Sequence, residues 1–218
     1  KVYMTKKIIA VDLDGTLLNN ESKLSDFTKE TIKKISEKGH HVIITTGRPY
    51  RMAKDFYREL ELHTPMINFN GSLTHLPGQA WEHEKCLTLD KKYLLDMVKR
   101  TEDIQADFIA GEYRKKFYIT TPNEEIADPK LFGVENFRPE NQFKPERVTK
   151  DPNCILLQTR AEDKYALADE MNRFYQHQLA INTWGGPLNI LECTPKGVNK
   201  AFALEYLLNV MNRDKKDL

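Results

Sequence analysis

The chain is poor in the residues that mark several common protein classes. Only three of its 218 residues are cysteine (Cys86, Cys154 and Cys193), widely spaced and without a CxxC pair. An odd, scattered set argues against a disulfide framework and for a reducing compartment, with the cytoplasm as the default. Long hydrophobic runs are also lacking. Apolar stretches extend over a few residues, far short of the ~20 needed to span a bilayer, and no signal peptide is visible. Neither sign of charge dominates, with 33 Lys plus Arg against 32 Asp plus Glu and a formal net charge of +1. A nucleic-acid binder working by electrostatics needs a concentrated positive stripe. The basic clusters here, such as Arg114-Lys115-Lys116, are short and lie among acidic residues. There is no glycine-rich Walker loop and no convincing nucleophile elbow, and the six histidines show no metal-ligand spacing, which lowers the case for nucleotide-driven or serine-hydrolase chemistry. Against these absences stands an ordinary globular composition, 40% hydrophobic and 30% charged, in a chain long enough to bury a real core.

The apolar β-branched run Ile8-Ile9-Ala10-Val11 predicts a buried strand, ended by Gly15,. Ser25 predicts the cap of a helix with Phe27, Ile32 and Ile35 on its buried stripe and Gly39 just past its end. His41 to Thr45 reads as a second strand, Pro49 to about Leu60 as a helix, and Pro65 to Phe69 as a third short strand. Strand, helix, strand, helix, strand with short loops is the rhythm of a parallel α/β layer. A hairpin is then expected from Ser72–His75 and Gln79–Glu82 around Pro77-Gly78, followed by a mixed series of helices and strands and a final helix from Val198 to Met211,. The simplest parse is a parallel α/β layer over 1–83, a separate α+β module over 84–184, and a return to the first layer over 185–218.

Chemistry concentrates at three places. Asp12 and Asp14, spaced i and i+2 after the first strand, fall at the carboxyl edge of the sheet, the usual ligand crevice of open α/β folds. Gly15 keeps their loop tight, so that backbone N–H groups can approach an anion. Asp-Gly alone is a common turn, but a turn needs neither the first aspartate nor the Thr16-Leu17 that follows. Thr45-Thr46-Gly47-Arg48 ends the second strand with a hydroxyl suited to a phosphate oxygen and a glycine that permits close approach. Taken alone this triplet is a cap and a turn; beside the aspartates it gains weight. At the start of the last helix, Lys196 and Lys200 compete as the residue steadying an anion, because a lysine at a helix N-terminus is unfavourable without one. Asn68, Asn70 and Gly71 end the third strand, where a polar contact to substrate is plausible.

Together these residues resemble the haloacid dehalogenase superfamily, specifically its Cof-type phosphatases with a type IIB cap. DLDGTL at 12–17 matches the first motif of that family, Thr46 within TTGRP the second, and Lys200 within PKGVNKAFAL the third. FNGSL at 69–73 and LNILECTPKGVNK at 188–200 resemble the family's passages into and out of its cap. The resemblance implies a Rossmann-like parallel-sheet core with an inserted α+β cap closing over the substrate. It implies that Asp12 attacks phosphorus to form an aspartyl-phosphate, while Asp14 protonates the leaving alcohol and then deprotonates the hydrolytic water. Thr46, Gly47 and Lys200 would hold the phosphoryl group, and Arg48, Asn70, Gly71 and Lys196 are candidates for substrate contact. Mg²⁺ would be bound by the Asp12 carboxylate and the Asp14 backbone carbonyl. An acid and base at neutral pH needs its proton held by its surroundings, so a perturbed Asp14 is expected. The substrate is expected to be a small phosphorylated metabolite, most readily a sugar phosphate. A phosphomutase of the same chemistry and a catalytically silent binding or regulatory module remain alternatives, and the sequence does not define the oligomeric state.

The fourth motif of the family, a GDxxND-like sequence carrying further acidic metal ligands, does not occur. It would follow the last helix, where the sequence reads Asp214-Lys215-Lys216-Asp217-Leu218. The expectation is a core incomplete at its C-terminal end and a metal site with ligands missing. Three origins suit this: a fragment of a longer protein, a natural short form completed by a partner or second copy, or a degenerate paralogue.

Overall fold

The computed structural model describes residues 5–218. The chain divides into two compact units, 1–86 with 198–218, and 87–197.

In the first unit, β1 (Ile8–Val11) runs parallel to β2 (His41–Ile44), with Ile8 opposite His41 and Val11 opposite Ile44. β3 (Met66–Asn68) joins the other edge of β2 through a parallel bridge between Thr45 and Ile67. Consecutive backbone N–H groups make the arrangement plain: Thr45 donates to Val11 O at 2.8 Å, and Thr46 donates to Ile67 O at 2.9 Å. β2 is therefore flanked on both edges and covered on both faces, which is why Val42, Ile43 and Ile44 are apolar without alternation,. Val42 and Ile44 pack with Ile32 of α1 (Asp26–Glu37) and Tyr57 of α2 (Lys54–Glu59), whereas Ile43 packs with Ile8, Ile67, Ala203 and Leu207. The last two belong to α5 (Lys200–Val210).

Ser25 caps α1 by accepting from Thr28 N–H, and Gly39 follows the helix with φ +87°. Phe27, expected on the buried stripe, is instead 79% exposed. Five residues separate it from Ile32, which at 100° per residue places the two about 140° apart. The second helical segment is also interrupted: a short 3₁₀ turn, Tyr50–Met52, precedes α2, with Ala53 between them at φ −119° and ψ −19°. The expected hairpin takes other partners. β4 (Leu73–His75) pairs antiparallel with β3 on one side and with β5 (Lys85–Cys86) on the other. The tight reversal lies at Phe69–Ser72 and not at Pro77-Gly78, because Phe69, Asn70 and Gly71 all adopt positive φ and turn the chain within a few residues.

The second unit is a five-stranded antiparallel sheet in the order β7-β6-β8-β10-β9, with β6 Ala106–Glu112, β7 Phe117–Ile119, β8 Cys154–Thr159, β9 Leu179–Thr183 and β10 Ile190–Pro195. Two amphipathic helices, α3 (Lys91–Lys99) and α4 (Lys164–Phe174), contribute Leu94, Met97, Leu167 and Met171 to a core with Ile109, Ile155, Leu157 and Leu191 of the sheet. Asp90 and Asp163 cap these helices through their carboxylates. The passage back to the first unit falls at 197/198, where the sequence pattern suggested 184/185. The reason lies in β10, which is laddered to β8 on one edge and β9 on the other and so belongs to this sheet.

Lys164 is buried, and its Nζ donates to three backbone carbonyls of the β9–β10 connection: Trp184 O at 2.8 Å, Gly186 O at 3.0 Å and Leu188 O at 2.8 Å. The ammonium thus ties three carbonyls of one loop to the start of α4. Lys164→Met removes all three bonds while keeping most of the stem, and is expected to destabilise by roughly 2–4 kcal/mol. The midpoint of urea denaturation measures this.

Candidate active site

Three strand ends and one helix start meet in the first unit. Asp12 directly follows β1; its Oδ1 accepts from Leu13 N–H at 2.8 Å and its Oδ2 from Lys200 Nζ at 2.8 Å. These two side chains are separated by 188 residues. Lys200 is the first residue of α5, capped by Asn199, whose Oδ1 accepts from Phe202 N–H at 2.8 Å. A lysine in a first helical turn is opposed by the helix dipole, and the Asp12 carboxylate supplies the compensating anion. Lys196, the competing candidate, is exposed and belongs to the second unit.

Asp14 turns elsewhere. Its carboxylate is gripped bidentately by Arg48, Nε to Oδ2 at 2.8 Å and Nη2 to Oδ1 at 2.7 Å. The guanidinium is itself anchored, with Nη1 donating to Met52 O at 3.2 Å and its carbon 5.5 Å from the centre of the Phe56 ring. These hydrogen bonds from Arg48 hold the Asp14 carboxyl below the usual carboxylate range; burial opposes the shift, and the charges of Arg48 and Lys200 reinforce it. Asp14 is therefore perturbed, but towards the ionised form. Surroundings that store its proton, as expected for an acid, are not what this arrangement provides.

Thr46 is fully buried, and its Oγ1 accepts from Arg48 N–H at 3.1 Å. Its neighbour Thr45 keeps a buried hydroxyl without a hydrogen-bond partner among the described residues. The Thr46–Arg48 turn is stitched to the end of β3: Asn70 N–H donates to Thr46 O at 3.0 Å, and both Phe69 N–H (3.2 Å) and Asn68 Nδ2 (3.0 Å) donate to Arg48 O. Gly47 admits this nesting, since a Cβ there would lie 3.0 Å from Asn70 Oδ1. Gly71 packs more tightly still. At φ +110°, a Cβ would collide with Asn199 O, so the turn after β3 seats directly against the start of α5. Gly71 thereby sets where Lys200 begins its helix.

The sequence pattern did not single out the Arg48–Asp14 pairing, nor His75, whose Nε2 lies 2.7 Å from Asn68 Oδ1. The available signal was weak: two polar residues, Asn68 and His75, at the ends of short strands.

The oxygen donors suit a hard dication in kind, one carboxylate from Asp12 and the backbone carbonyl of Asp14, but not in number. No group of three or more His, Cys, Asp or Glu side chains able to hold a metal occurs among the described residues. These two donors would leave most positions of a hard-cation shell to other ligands. No helix among the described residues is long and apolar enough to cross a membrane.

Comparison with known proteins is consistent with this geometry. The family model for haloacid dehalogenase-like hydrolases matches residues 9–218. The chain is 30% identical over 205 residues to the 5-amino-6-(5-phospho-D-ribitylamino)uracil phosphatase YitU of Bacillus subtilis, covering 92% of this chain and 73% of that protein. Among solved structures, a Thermotoga maritima protein superposes with a TM-score of 0.77 at 22% identity, over 97% of this chain and 78% of its own. A haloacid dehalogenase-like hydrolase from Bacteroides thetaiotaomicron gives 0.77 at 19% identity, over 97% and 79%.

Two outcomes follow from the local contacts. Gly71→Ala is expected to cost more than about 1 kcal/mol, since both its φ and its contact with Asn199 oppose a methyl group; thermal unfolding reads the loss. The Asp14–Arg48 pair lowers the native carboxyl pKa, so its contribution is present above the ordinary aspartate pKa near 3.8 and fades as pH falls further,. The gap in unfolding midpoint between wild type and Arg48→Gln should therefore shrink steadily below about pH 4.

Proposed function

Because the chain belongs to the haloacid dehalogenase-like hydrolases, we propose that its first unit hydrolyses phosphate monoesters of small metabolites, with Asp12 as nucleophile. The reading is carried by the different company the two aspartates keep. Asp12 sits at the strand end beside the Lys200 ammonium, with lone pairs left on both oxygens, whereas Asp14 has both oxygens engaged by one guanidinium. A carboxylate attacking a phosphate dianion brings like charges together, and a fixed cation beside it lowers that cost.

In the first step an Asp12 oxygen attacks phosphorus, the ester P–O bond breaks, and its electron pair leaves on the alkoxide oxygen. Asp14, once it has taken up a proton from solvent, gives that proton to the oxygen, and the alcohol departs. In the second step Asp14 takes a proton from water as the water oxygen attacks the aspartyl-phosphate; the P–O bond to Asp12 breaks and inorganic phosphate leaves. Splitting the reaction through a covalent intermediate replaces one difficult step with two easier ones. Lys200, the Thr46 hydroxyl and the Gly47 backbone N–H are assigned to the phosphoryl oxygens. Arg48 has to give up one of its two hydrogen bonds for Asp14 to carry the proton, and keeps the other on the second oxygen. Hydrolases of this superfamily typically depend on Mg²⁺; when bound, it would supply further charge neutralisation, held here by the Asp12 carboxylate and the Asp14 carbonyl.

Residues 87–197 are assigned as the inserted cap, of the type IIB kind, selecting the alcohol part of the substrate. Sugar or sugar-alcohol phosphates are the favoured class, supported by the phosphoribityl substrate named for the Bacillus subtilis relative. The test is phosphate release from a panel of phosphorylated sugars and polyols with Mg²⁺. Asp12→Asn is expected to lower kcat by at least about a thousandfold, and turnover that survives the substitution would remove Asp12 as nucleophile. A requirement for an activating bisphosphate, with an isomer as product, would instead reveal a mutase.

A further inference from the structure

Beneath the turn that carries Arg48 lies a buried polar pair that the catalytic scheme does not use. Asn68 and His75 are 0% and 1% exposed, on the adjacent antiparallel strands β3 and β4. Buried polar groups persist where hydrogen bonds answer them, and here the bonds run in one direction. Asn68 Nδ2 donates to Arg48 O, an oxygen that can only accept, so the orientation of the amide is fixed,. Its Oδ1 must then face His75 Nε2 at 2.7 Å, and that nitrogen carries the proton,. The imidazole is further set by the Tyr50 ring, edge-on with centroids 5.0 Å apart. Tyr50 begins the short turn that leads to Met52, whose carbonyl anchors the guanidinium of Arg48.

We propose that Asn68 and His75 are positioning residues for the acid–base aspartate, acting through Arg48. The imidazole orients the amide, the amide holds the Arg48 carbonyl, and the Arg48 side chain fixes where Asp14 points. Arg48 is in this account a positioning residue too, in place of the substrate contact expected of it, since three of its N–H groups are already committed within the unit. The inference rests on the role proposed above for Asp14.

The experiment pairs kinetics with a measurement that needs no turnover. Asn68→Asp keeps the shape and the acceptor but replaces the donor with an oxygen; His75→Phe removes the bond to Asn68, and His75→Gln retains an N–H donor. Displacement of a reacting group by a fraction of an ångström is expected to lower kcat about 10–100-fold in Asn68→Asp and His75→Phe, with KM changed less than about threefold. His75→Gln is expected to recover most of the loss. In parallel, NMR of labelled protein should show the Nε2–H tautomer of His75 and a protected Arg48 Nε–H resonance. The Arg48 signal should shift or broaden in Asn68→Asp and His75→Phe and return in His75→Gln. Unchanged kcat and an unmoved Arg48 resonance in the first two variants, while Asp12→Asn abolishes turnover, would overturn the positioning role and leave the phosphatase reading intact. Full activity in Asp12→Asn would overturn that reading instead, and the Arg48 resonance would still decide whether the buried pair holds the arginine.

Discussion

The contact between Lys200 and Asp12 sets the conditions under which the rest of the first unit makes sense. A part-buried carboxylate at the end of a strand and an ammonium in the first turn of a helix are each less favourable alone, one by partial desolvation and the other by the helix dipole,. Joined at 2.8 Å, each supplies what the other lacks. Since the two residues come from opposite ends of the sequence, the contact also demands that α5 start at one place only. The positive-φ turn Phe69–Gly71, packed on the Asn199 carbonyl without room for a methyl group, meets that demand.

The two aspartates, two residues apart, show how local electrostatics separates chemically identical groups. Asp12 is met by one flexible cation and a backbone N–H; Asp14 is met by a planar fork matching both of its oxygens. A bidentate guanidinium gives directional control that an ammonium cannot, which makes Arg48 suited to orient a group and Lys200 suited to neutralise one. The guanidinium gains its own fixity from the Met52 carbonyl and the face of Phe56. Direction is thus transmitted from packed elements to an otherwise half-exposed carboxylate.

Much of this was legible in the sequence, for identifiable reasons. The parallel β1–β2 pair follows from two β-branched runs, and the cap of α1 follows from Ser25, because strand burial and N-capping are local rules written in a few residues. Asp12 and Lys200, singled out by their places after the first strand and at the start of the last helix, are brought into contact. What escaped depended on three-dimensional partners. The placement of Phe27 turned on a helical phase of 140°, the partner of β4 on an unusual run of positive φ, and the domain return on which edges of β10 were paired. The Arg48–Asp14 fork and the Asn68–His75 pair leave almost no trace in spacing, since each joins residues through geometry that only the folded strands define.

The separation of 188 residues between Asp12 and Lys200 has a consequence for the birth of the protein. At translation rates of about 5–20 residues per second, roughly 10–40 s elapse between synthesis of the aspartate and of its lysine. Throughout that interval the whole 87–197 unit, whose sheet and helices are built from its own residues, emerges and can fold as an independent body. The nascent first unit meanwhile holds β1, β2 and β3 with the apolar faces of Ile8, Ile43 and Ile67 lacking their cover from Ala203 and Leu207. Closing this part of the core and pairing the Asp12 carboxylate are therefore one event, and until it occurs the half-made chain carries that carboxylate without its counter-charge.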